Sequence, residues 1–150
     1  MMLLHLVGYL WSLPNTLIGL LLVPLYAPQS IEWCDGCLEV IAGERKDGST
    51  RIFFKPSGQT FGWIIFYATE EKRQKASLRV HERVHVTQGF IGGPLFALTY
   101  LLCFAWSFTR NGFKDWYSAY MRNPFEIQAY RIQDEFEAGQ RPDQWGSLGT

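Results

Sequence analysis

Charge is missing from two long stretches of this chain: no Asp, Glu, Lys or Arg occurs from Met1 to Ile31, nor from Val84 to Thr109. The 14 basic and 14 acidic residues crowd into the remaining segments and cancel to a formal charge of zero. With no net positive field, no nucleic-acid partner is expected. Three cysteines are too few for a disulfide framework. At 150 residues there is little room for a second independent core. A hydrophobic content of 47% excludes an intrinsically disordered chain. Neither an internal repeat nor a low-complexity tract is present.

The first uncharged stretch holds an apolar run, Leu3 to Ala27, long enough on paper to cross a bilayer, for which about 20 residues suffice. Pro14 and Asn15 in its middle and Pro24 near its end divide it into shorter helical pieces, a re-entrant or in-plane anchor. It lacks the basic start of a secretory signal, and Pro28 closely follows any cleavage point at Ala27. Residues 1–30 are therefore expected to form a retained apolar anchor of a membrane-associated protein. The alternative is a buried helix of a soluble cytoplasmic one. Cys34 and Cys37 frame Asp35-Gly36 as a C-x-x-C, which suits a tight turn, a redox pair or half of a zinc site. The turn is preferred, because a structural zinc takes four ligands and Cys103 lies alone in an apolar run.

The period then changes. Leu38–Ala42, Thr50–Phe54 and Phe61–Tyr67 are short, rich in β-branched and aromatic residues, and separated by Asp47-Gly48 and Pro56-Ser57-Gly58. They predict a small antiparallel sheet. Thr69 precedes a helical pattern that runs to about Gln88 and stops at Gly89. Gly92-Gly93-Pro94 is a break, Leu95–Phe108 an apolar helix closed by Asn111-Gly112, and a last helix starts at Asn123-Pro124 and ends near Gly139. Residues 141–150 read as a tail. The fold class is α+β, a small antiparallel sheet followed by a chemistry-bearing helix and C-terminal helices.

Residues 81 to 85 are His-Glu-Arg-Val-His. On a helix, positions four apart stand one turn above each other, so His81 and His85 can aim both imidazoles at one metal ion about 2.0–2.1 Å away. Glu82 is set off that axis, where a carboxylate can work as general base without becoming a ligand. A catalytic zinc takes a third protein ligand and leaves one position open to water. His5 sits inside the first apolar run and is a poor candidate. Glu126, in the first turn of the last helix with hydrophobic neighbours, is the chosen third ligand. It has a competing use, since Asn123 followed three residues later by Glu126 also matches a capping box. Glu70, Glu71, Glu135 and Glu137 are substitutes in more charged surroundings. Tyr117, Tyr120, Tyr130 or Arg131 could stabilise an oxyanion, and Gln88, seven residues after His81, either bonds a ligand or ends the polar edge of the helix.

His81, Glu82, His85 and Glu126 together resemble the zincin metallopeptidases of gluzincin type, in which an H-E-x-x-H helix is joined by a glutamate from a later helix. The phrases HERVHVTQ and NPFEIQAY also resemble small bacterial H-E-x-x-H-x-x-Q domains of uncertain role, some of which accompany toxins delivered by contractile injection systems. The resemblance covers Phe61 to Tyr130. It implies a zincin-like domain over residues 31–140, Zn2+ held by His81, His85 and Glu126, and a water activated by Glu82 for attack on a peptide or protein substrate. Where gluzincins often place an aspartate four residues after the third ligand, this chain has Tyr130, so no partner for a ligand histidine is identified. The rival expectation is a non-catalytic membrane-associated or scaffold protein that keeps the metal-binding helix.

The run Phe90–Phe108 passes for a transmembrane helix. A single crossing would leave Glu126 some 30 Å from the histidines, so the metal hypothesis requires the chain to double back. Membrane contact is then expected through the N-terminal run and residues 90–108, with Trp106, Trp116 and Tyr117 at the interface.

Overall fold

A computed structural model describes residues 2–44, 48 and 57–140 of the chain. The expected strand Thr50–Phe54 and the tail 141–150 lie outside the described residues, as does the side chain of His5.

The N-terminal run forms two helices, α1 (Met2–Trp11) and α2 (Leu13–Tyr26). Pro14 falls in the first turn of α2, where no backbone donor is needed, so the chain restarts there as a new helix. Two hairpins follow: β1 (Ser30–Cys34) with β2 (Cys37–Ile41), and β3 (Gly58–Phe61) with β4 (Ile64–Tyr67). Asp35 and Gly36, both at positive φ (47° and 77°), form the turn between Cys34 and Cys37. The expected strand Phe61–Tyr67 is instead half of the second hairpin. Gly62 turns the chain at φ 63°, and its missing Cβ admits Thr16 of α2.

The sheet is mixed, which corrects the antiparallel expectation. Its order is β1-β2-β4-β3, with antiparallel outer pairs and a parallel central pair, β2 with β4. β4 is buried on both faces, so it reads as an unbroken apolar run, Ile64-Ile65-Phe66-Tyr67. One face packs Val40, Ile64 and Phe66 under Tyr26 of α2, and the other packs Cys37, Ile65 and Tyr67 under Val86 of the fourth helix.

The expected helix from Thr69 is two helices, α3 (Glu70–Gln74) and α4 (Ala76–Gly92), because Lys75 is extended (ψ 105°). α4 runs past Gly89 to a 3-10 turn at Gly93–Leu95, then α5 (Phe96–Arg110), α6 (Trp116–Met121) and α7 (Pro124–Glu137) complete the chain. The helical run Ala76–Arg110 is long and apolar enough, by length and composition, to cross a membrane. α6 nevertheless packs back on α5, and α7 lies along α4, so the chain returns to the histidine helix.

Candidate metal centre

α4 is buried nearly all round, between the sheet and α7. Its polar side chains have left water and must find partners. Toward the sheet, Arg83 donates to Asp35 at 2.9 Å, and Glu39, 1% exposed, receives Arg73 at 2.7 Å and Arg79 at 3.3 Å. Toward α7, the partners are ligand-type groups.

His81 and His85 bring their Nε2 atoms to 3.2 Å from each other. Glu126, 2% exposed, lies across from them, with Oε2 at 3.3 Å from His81 Nε2 and Oε1 at 3.2 Å from His85 Nε2. Donors at 2.0–2.1 Å from a tetrahedral ion stand about 3.3 Å apart, so these separations suit one cation. Among the described residues Glu126 Oε2 is buried without a hydrogen-bond partner and faces the His81 imidazole. The buried group His81, His85 and Glu126 could therefore hold a metal ion. Asn123 caps α7 by accepting from Phe125 N at 3.2 Å, but the capping box does not close, because Glu126 turns to the histidines.

Neighbouring groups prepare the donors. His85 Nδ1 donates to Gln88 Oε1 at 2.8 Å, which leaves the Nε2 lone pair free for a cation. Gln88 Nε2 donates in turn to Phe125 O at 3.0 Å and Gln128 Oε1 at 2.9 Å, tying α4 to α7. Tyr100 of α5 donates to Glu126 Oε1 at 2.7 Å. Among the described residues His81 Nδ1 has no hydrogen-bond partner, and the Tyr130 ring packs against that imidazole at 4.5 Å between centroids.

Burial alone would raise the Glu126 carboxyl, but the facing imidazoles of His81 and His85 hold it well below the ordinary carboxylate range. Burial would lower His85, yet the Glu126 carboxylate beside it pushes it up to about 8. Glu82 is not a member of that group. Burial raises its carboxyl against the pull of His85 and His81, and Thr60 Oγ1 donates to its Oε2 at 2.7 Å. Gly58 on β3 has no Cβ, and the Glu82 carboxylate fills that space.

Of the four oxyanion candidates, Tyr130 packs on the His81 ring, and Tyr120 lies near enough to Glu126 that burial and the carboxylate raise its hydroxyl above the ordinary tyrosine range. Tyr117 is exposed, and Arg131 points outward beside Glu135 at 3.8 Å. Glu70 is taken by Arg73, while Glu71 and Glu137 are exposed. Tyr100, Thr60 and Gly58 went unread in the sequence. Tyr100 sits in an apolar run and Gly58 in a turn cluster, and neither position signals chemistry without the fold. Cys34 and Cys37 are free thiols facing each other across the β1–β2 hairpin, where Arg79 Nη2 donates to Cys34 Sγ at 3.2 Å. Burial pushes the Cys37 thiol up to about 11, opposite to a reactive cysteine. Among the described residues they join no group of metal-ligating side chains.

No protein family, curated protein or solved structure matches the chain.

Proposed function

We propose that the protein is a zinc-dependent metallopeptidase of zincin type, with His81, His85 and Glu126 as metal ligands and Glu82 as general base. One observation carries this reading: three buried donors converge within 4.8 Å of one another, and a fourth group, Glu82, stands on the helix of the two histidines without joining them. Zinc supports it as the metal, since two imidazoles and one carboxylate are a common catalytic zinc set, and the bound ion would act as a Lewis acid toward a carbonyl. Glu82 is suited to take a proton from water and return it to a leaving amine. Its raised carboxyl lies nearer neutrality than a solvated glutamate, and Thr60 fixes its orientation. Gln88 and Tyr100 orient His85 and Glu126. Tyr120 and Tyr130 offer phenolic donors for a developing oxyanion.

The test is metal analysis beside hydrolysis of a mixed peptide library. Wild type is expected to bind about one zinc per chain, and His85→Ala and Glu126→Ala to lose it. Glu82→Gln should keep zinc and lose at least about a hundredfold in hydrolysis. Zinc retained by Glu126→Ala would remove the proposed ligand set. Zinc in wild type with no hydrolysis of any peptide would favour the non-catalytic rival.

A further inference from the structure

The first half of helix α2 is inside out for a protein in water. Its inward face carries Asn15, Thr16 and Gly19, buried behind the buried cap residue Ser12, whereas Leu17 and Leu21 point outward, Leu21 at 76% exposure. Only the second half turns apolar groups inward, with Tyr26 in the core and Leu22 and Val23 packed against it. The buried polar groups serve as joints. Asn15 Nδ2 donates to Gly93 O at 2.6 Å, and Thr16 Oγ1 accepts from Trp63 N at 3.4 Å. Gly19 lets the helix approach Phe61 and Ile64 closely. Small and polar residues between elements with leucine outside is the arrangement of a helix whose solvent is hydrocarbon.

The same side inversion recurs after the 3-10 turn that Asn15 holds. Ile91, Leu95, Leu98, Leu102 and Trp106 recur at helical spacing along the end of α4 and α5, and all are exposed, Ile91 at 79%. The opposite face of α5 turns Phe96 and Tyr100 to the protein. At the far end, Arg110 stacks over Trp106 at 5.6 Å, and Lys114 follows between exposed Phe113 and Trp116. Aromatic and basic side chains together are the composition of a headgroup layer, and they border a stripe with no charge.

We infer that the outward faces of α1–α2 and α5 are seated in the hydrocarbon of an anionic phospholipid bilayer. The seating is from one side. α2 has 14 residues and α5 has 15, each about 21–23 Å long against a hydrocarbon thickness of about 30 Å. α6 and α7 then return the chain to α4. A protein partner fits less well, because its interface would want a polar rim and hydrogen-bonding groups that these faces do not offer. This inference is independent of the metal-site reading.

Flotation of the full chain with vesicles of phosphatidylcholine and phosphatidylglycerol tests it. Wild type should float and resist alkaline carbonate. The double variant Leu21→Asp/Leu102→Asp, altered only at exposed positions, should lose at least about a hundredfold in vesicle partition while keeping its circular dichroism. Should that variant misfold, acyl-chain-brominated lipid provides the second measurement: it should quench wild-type tryptophan emission, and less so in Trp106→Phe. Wild type left in the lipid-free fractions as a monomer or as a discrete dimer, unaltered flotation of the folded double variant, or no quenching would each overturn the inference.

Discussion

Gln88 links three parts of the centre through one side chain. Its carbonyl oxygen takes the Nδ1 proton of His85, and its amide nitrogen reaches Phe125 O and Gln128 Oε1. The tautomer of His85 and the spacing of two helices therefore depend on the same residue. Gln88→Leu should weaken zinc binding by about 10–100-fold with the fold retained, as measured by competition with a chromogenic chelator. Gln88→Glu keeps an acceptor for Nδ1 and should recover most of the loss. Equal affinity in wild type and Gln88→Leu would show that the bond to His85 does not tune the site. His81 has no such partner, and the edge-on Tyr130 ring replaces it with packing alone.

At the scale of elements, α4 is a polar helix in an apolar position. Its two sides are satisfied by different neighbours, arginines against β1–β2 and histidines against α7. Glu39 on β2 is the centre of the first side, facing Arg73, Arg79 and Arg83 with its own side chain fully buried. Removing one member of a buried ionic group strands the others, so Glu39→Gln should cost roughly 3 kcal/mol in denaturant unfolding. A loss under about 1 kcal/mol would mean that Asp35 and Glu32 neutralise the arginines by themselves. The parallel β2–β4 pairing belongs to this scale too. The β1–β2 hairpin is closed by a two-residue turn that local sequence can signal, while the pairing of one hairpin with the other depends on burial of β4 between α2 and α4.

The whole molecule places a cluster of ligand-type groups at the meeting of α4, α5 and α7, where nothing but their own bonds offsets desolvation. A cation that binds only the folded chain adds to its stability by mass action. Free zinc at about 100 times Kd should therefore stabilise the protein by about 2.7 kcal/mol over the chelated form, read as a higher thermal midpoint. Coincident unfolding curves with and without chelator would contradict a folded-state metal site.

Much of this organisation is legible in the linear chain, and for identifiable reasons. Helix periodicity, the Asn123-Pro124 start and the glycine breaks are local signals, so α5 and α7 appear near their observed bounds. The break at Lys75 and the hairpin at Gly62 are weaker, because an extended lysine and a turn inside an apolar run leave no compositional trace. His81, Glu82 and His85 share a helix by spacing alone, since one turn brings positions four apart together. The meeting of the two histidines with Glu126, the nearness of Tyr120 and Tyr130 to that group, and the entry of Tyr100 and Gln88 were decided only by how α4, α5, α6 and α7 pack. The uncharged stretches were likewise plain as composition, but which side of α2 faces the protein was not. There the deciding factor is hydrogen bonding: Asn15 and Thr16 had to turn inward to reach Gly93 and Trp63, and Leu17, Leu20 and Leu21 were left outside.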